Sequence, residues 1–156
     1  LLSLLYCFAF IVHIIRLSGW YSKLVLSVPL LWVLYLGYLW MVLGFFLKAL
    51  EKVGVGSEVI ADHALFASIS ILCLGMMSRV ALGHTGRVLK TSKLMNWAFF
   101  LLNIAMLARV FGPILVSDMI THVVVVSGVL WSIAFGVFLM IYLPILARAR
   151  VDGKTG

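Results

Sequence analysis

Four histidines, two cysteines and seven methionines are the side chains of this 156-residue chain best suited to holding a metal. His63 follows Asp62, and His122 follows Asp118 by four residues, each at the start of a long apolar run. Two imidazoles on two helices can face one site, and a haem held between helices takes neutral ring nitrogens from facing side chains of a bundle core. Each can equally be a polar residue hydrogen-bonded at a helix end, and spacing alone favours that plainer reading. Arg109 sits three residues before Gly112 on the same side as these histidines. Its guanidinium could pair with a haem propionate, with Asp62 or with Asp118, or snorkel toward head groups.

A second constellation runs Gly75-Met76-Met77-Ser78-Arg79-Val80-Ala81-Leu82-Gly83-His84-Thr85-Gly86-Arg87. Two glycines bracket His84 and Thr85, which allows a tight turn with exposed N–H groups, and Arg79 and Arg87 add fixed positive charge. Such a turn can hold an anion, although it lacks the spacing of a nucleotide-binding loop. On composition a lipid head group is the better match. His63 and His84 are separated by roughly 31 Å of helix, so they cannot share one metal. His63, His122 and Arg109 therefore form one layer, and His84, Arg79 and Arg87, with His13 as a further candidate, form another. Met76 and Met77 are soft donors suited to copper, but adjacent helix residues diverge and a helical Met usually fills space. Asn96 and Asn103 share a helix face and are expected to bond across helices. Cys7 and Cys73 lie inside apolar runs and read as small hydrophobes.

The elements that position these groups are membrane helices. Apolar residues make up 65% of the chain and charged ones 11%, with mean hydropathy +1.22, which excludes an ordinary soluble globule and a disordered chain. The net charge of +7 then calls for a membrane reading, with no nucleic acid as partner. The sequence predicts an all-α polytopic bundle in a single domain over 1–156, with the lipid bilayer as its surroundings. Four full spans fall at 24–47, 59–82, 94–116 and 119–147. A first helix at 1–15 is short, about 22 Å, and is read as truncated, so the chain is expected to be the C-terminal portion of a longer protein whose N-terminal helices pack beside it. Gly112-Pro113 should stop the fourth segment and create a tight hairpin to the fifth. Ala64, Ser68 and Gly75 form a small-residue stripe on the third.

Basic residues sort by loop. Arg16, Lys23, Arg79, Arg87, Lys90, Lys93, Arg148, Arg150 and Lys154 fall at one set of helix ends, while Lys48, Lys52 and Arg109 share the other with Glu51, Glu58, Asp62 and Asp118. The bias predicts a cytoplasmic C-terminus, with Trp20, Tyr21, Trp97 and Tyr142 near the inner interface.

The run from His63-Ala64-Leu65 through Gly75-Met76-Met77-Ser78-Arg79 to Leu82-Gly83-His84-Thr85-Gly86-Arg87 resembles the NnrS family. So do the stretch from Asn103 to Arg109, Trp131 with Phe135, and Arg150-Val151-Asp152-Gly153-Lys154. The resemblance implies a polytopic protein of the bacterial inner membrane that contains haem and copper and takes part in the response to nitric oxide and nitrosative stress. It carries over His63, Arg79, His84, Thr85, Gly86 and Arg87 as motif positions without fixing a role for any of them. Chemistry then nominates His63, His122 and His84 as metal ligands and Arg109, Arg79 and Arg87 as partners of cofactor carboxylates or other anions. The competing readings are a transporter or channel, and a cofactor-free sensor or structural subunit. No Ser-His-Asp set, paired membrane carboxylates or nucleotide fingerprint points to a hydrolase or kinase, and redox chemistry on nitric oxide is left open.

Overall fold

The computed structural model describes residues 1–153, so Lys154 lies outside the described residues. Within them the chain is helical throughout, without a strand: α1 (Leu2–Trp20), a short α2 (Lys23–Ser27), α3 (Pro29–Glu51), α4 (Glu58–His84), α5 (Lys93–Leu115), a 3-10 turn (Ser117–Met119) and α6 (Ile120–Leu146). Five of these helices are long and apolar enough to cross a membrane. With no water to pair with, their backbone groups are satisfied inside each helix.

The first two elements differ from the apolar runs. α1 continues five residues past Ile15 to Trp20, where the guanidinium of Arg16 lies 5.0 Å from the indole ring centre. The run at 24–47 is split, because Val28 precedes a proline and takes an extended conformation (φ −108°, ψ 115°), which the proline ring imposes on its predecessor. Pro29 then starts α3, where its missing N–H costs nothing, and the helix extends to Glu51. Gly112-Pro113 does not stop α5 at once. Pro113 lies inside the helix, which ends at Leu115, and the amide of Val116 closes the last turn on the Gly112 carbonyl (2.9 Å).

α3, α4 and α5 form the centre, with α1 against α3 and α6 against α5 and α4. The core comprises Val33, Ala64, Ala67, Ile71, Leu74, Phe99, Leu102 and Ala105 among others. Ala64, Ser68 and Gly75 are all buried, as their stripe predicts. Close approach is built into α3 as well. A Cβ on Gly37 would meet the Leu72 backbone N at 3.1 Å, and one on Gly44 would meet that of Leu65 at 3.2 Å, so only glycine lets α4 come this near. Aromatic rings join α3 to α5, with Trp32 edge-on to Phe99 at 5.9 Å and Trp40 tilted against Phe111 at 6.2 Å.

Trp20, Tyr21 and Trp97 are exposed, consistent with interfacial rings, but Tyr142 is buried and stacks on Phe138 at 4.9 Å. A tyrosine one helical turn from a phenylalanine gains more by stacking in the core than by facing head groups.

Candidate functional site

At the acidic end, α3, α4 and α5 bring six polar side chains together. Lys48, buried in the last turn of α3, places its ammonium 2.6 Å from Asp62 Oδ1, 3.4 Å from Glu51 Oε2 and 4.0 Å from Glu58 Oε1. Asp62 is thereby committed to Lys48, which leaves the next residue free to face α5. His63 is half-buried there, and Arg109 donates from Nε to its Nε2 at 3.4 Å and from Nη1 to the Val124 carbonyl of α6 at 3.4 Å. Arginine has no acceptor. His63 is therefore a neutral imidazole that accepts at Nε2 and carries its proton on Nδ1. That Nδ1 is buried and has no hydrogen-bond partner. An unpaired buried donor costs free energy, about 1–3 kcal/mol.

Beside this pair, α4, α5 and α6 form an open cavity of about 220 Å³ lined by Phe66, Met106, Arg109, Ser127, Gly128 and Trp131. Its volume is below the ~300–1,000 Å³ of typical cofactor pockets and suits a small ligand. His122, in the first turn of α6, is exposed and makes no hydrogen bond to His63 or Arg109 among the described residues. Of the three groups expected in this layer, two meet directly and His122 stands apart.

Whether a haem suits this pair is a question of donors. A metal would take the Nε2 lone pair that Arg109 now holds, and the released guanidinium would be free for a carboxylate such as a propionate. The pair could thus supply one donor nitrogen and one cation to such a group, while the adjoining cavity of about 220 Å³ would have to widen to admit a porphyrin.

At the basic end the turn after α4 is joined by residues from beyond α6. Gly86 has φ +71°, a left-handed conformation open to glycine, and the Thr85 hydroxyl, buried, donates to the Ala81 carbonyl at 2.7 Å. The Val151 amide donates to the Thr85 carbonyl (3.2 Å) and Arg150 Nη1 to the His84 carbonyl (2.9 Å). Arg150 also grips Asp152 with both edges, Nε to Oδ1 at 2.9 Å and Nη2 to Oδ2 at 2.6 Å. That hydrogen-bonded carboxylate holds the guanidinium pKa above its ordinary value. The Asp152 carboxyl lies where a Cβ on Gly86 would come within 2.7 Å.

Arg79, His84 and Arg150 line one cavity of about 370 Å³ with Met76, Val80, Gly83 and Leu89. Arg87 does not line it; its Nη1 is buried without a hydrogen-bond partner. This donor set does not suit copper, because two guanidinium groups repel a cation. Among the described residues no three His, Cys, Asp or Glu side chains gather as a metal would need.

Several side chains behave differently from their sequence expectation. His13 does not join His84. Its Nδ1 pairs with the Tyr38 hydroxyl at 2.5 Å and its ring stacks on Phe45 at 5.4 Å, between α1 and α3. Asn103 bonds the Phe99 carbonyl of its own helix and Asn96 accepts from the nearby Thr91, so neither bridges helices. That bridge comes instead from Trp131 Nε1 to Ser70 Oγ, at 3.3 Å, linking α6 to α4. Met76 and Met77 are exposed, as are both cysteines, which are free.

Sequence reasoning missed the Lys48 cluster and the clamp of Arg150 and Asp152 on the turn. The i, i+3 spacing of Lys48 and Glu51 was a local hint of the first. The second spans 66 residues and has no local signal.

A family model described as NnrS protein matches residues 1–150. No curated protein and no solved structure matches the chain.

Proposed function

The chain belongs to the NnrS family, and from that premise we propose that it serves the nitric oxide response as a haem- and copper-binding protein of the bacterial inner membrane. The contact between His63 and Arg109 carries this reading: a neutral imidazole whose lone pair is held by a guanidinium, next to a chamber of small-ligand size. A haem iron bound there would supply a centre with affinity for nitric oxide. His63 would hold the metal through Nε2, and Arg109 would hold a carboxylate of the group while its Nη1 stays close to the Val124 carbonyl. Phe66, Met106 and Trp131 give the chamber an apolar wall, which suits an uncharged diatomic gas. For copper, the exposed His122 is the better candidate ligand, since His84 stands among arginines. The basic end, carrying nine of the twelve lysines and arginines, faces the cytoplasm.

A transporter would be expected to break its helices near the midplane. Here the breaks fall at helix ends, at Val28–Pro29 and after Gly112, which favours a binding role.

The test is an absorption spectrum and metal analysis of the purified full-length protein beside its His63→Ala and His122→Ala variants. We expect a Soret band that shifts on exposure to nitric oxide and is lost in His63→Ala, and copper content that falls in His122→Ala. A protein without a Soret band, or one whose spectrum is unchanged by both substitutions, overturns these assignments.

A further inference from the structure

The cavity at the basic end has a composition that neither metal binding nor bundle packing accounts for. Arg79, Arg150 and the imidazole of His84 line it together with Met76, Val80 and Leu89, all apolar and exposed, and Met76, Arg79 and Val80 share one face of α4. Arg79 makes no ion pair or hydrogen bond among the described residues, although it is half-buried. Arg150 is not a loose surface chain, because Asp152 and the His84 carbonyl fix its guanidinium at three points. Arg87, from the same turn, stands outside the cavity lining, with its Nη1 buried and unpartnered. Two guanidinium groups, of which only that of Arg150 is paired with a carboxylate, thus line a cavity of about 370 Å³.

Position decides which anion answers this charge. The arginines sit in the last two turns of α4 and just beyond α6, where both helices leave the apolar zone, and the apolar wall descends from them along α4 through Val80 to Met76. A free anion would use the charged groups only. An anionic lipid would use both, with its phosphate among the arginines and its chains along Val80, Met76 and Leu89.

We propose that the cavity lined by Arg79, His84 and Arg150 is a binding site for the phosphodiester head group of an anionic membrane phospholipid. Arg79 supplies the uncommitted charge, Arg150 a preset donor, and the docked residues 150–152 complete the wall.

Native mass spectrometry of the full chain released from nanodiscs checks this, with membranes of phosphatidylglycerol mixed into phosphatidylcholine. Wild type is expected to retain one phosphatidylglycerol, and Arg79→Gln to lose at least tenfold of that retention with its helical content unchanged. Arg148→Gln removes an exposed charge of the same end outside the cavity and is expected to keep the lipid. Millimolar inorganic phosphate is expected not to displace it. Equal retention by wild type and Arg79→Gln overturns the proposal, as does an equal loss in Arg148→Gln, which would mean diffuse attraction to the whole basic end. Displacement by inorganic phosphate also overturns it and assigns the cavity to a free anion. Should Arg79→Gln fail to fold, His84→Ala and Leu89→Asp address the polar and the apolar lining separately, and unchanged retention in both is equally fatal.

Discussion

The two ends of the bundle solve the same problem, polar groups at membrane depth, in opposite ways. At the basic end the turn of His84, Thr85 and Gly86 is tied by backbone carbonyls to residues 150 and 151, and its geometry depends on positions that side-chain chemistry barely reads. At the acidic end side chains satisfy one another directly: Lys48 with Asp62, and Arg109 with His63. Backbone ties make a rigid frame whose cavity is preset. Side-chain pairs make an exchangeable arrangement in which an incoming ligand replaces an internal partner.

The sharpest way to break this contrast is at Gly86. Valine there must adopt φ +71° at a cost of about 1–3 kcal/mol and also collides with the Asp152 carboxyl. Gly86→Val is expected to release residues 150–152, seen as faster tryptic cleavage after Arg148 and Arg150 and a lower melting temperature in detergent. Cleavage at the wild-type rate would mean that the turn does not hold the strap.

Arg109→Leu probes the other end more mildly. It removes two long interhelical hydrogen bonds, worth about 0.6 kcal/mol each in membranes, so thermal stability should fall slightly while cleavage at residues 148–150 stays unchanged. The imidazole of His63 should at the same time become reactive toward diethyl pyrocarbonate, because its Nε2 loses its partner. A drop in stability matching that of Gly86→Val would erase the distinction between frame and exchangeable pair.

The smallest effect is expected at Trp131→Phe, which keeps an aromatic ring but removes the bond to Ser70 Oγ and part of the lining of the acidic-end cavity. Melting should move by a degree or two at most, a shift of under about 1 kcal/mol, with both ends unaffected in the two assays above.

The number and placement of the long helices could be read directly from the chain, since apolar runs of membrane length admit few alternatives. The split at Pro29 was legible too, had the restriction on Val28 been weighed against hydropathy. Meeting of His63 with Arg109 followed from placing both near one membrane face, but its exclusion of Asp62 did not, because that depends on Lys48 turning inward from α3. His122 shows the limit of depth as a guide. Two residues at one level of the bilayer can sit on helix faces that never meet, and rotation about the helix axis is set by packing at Gly112 and Val123, which hydropathy does not encode. Asn103 misled for a related reason, since a lone amide in an apolar helix can satisfy itself on the carbonyl one turn back.

The hydrogen bond from Val151 to Thr85 also orders events during synthesis. A nascent chain that has inserted α4 and α5 already possesses the glycine turn, yet it lacks the strap until α6 has entered the membrane and residues 150–152 have cleared the ribosome. The lipid chamber therefore matures only after α6, and a chain stalled before that moment would present Arg79 open and unbraced to whatever quality control inspects the membrane.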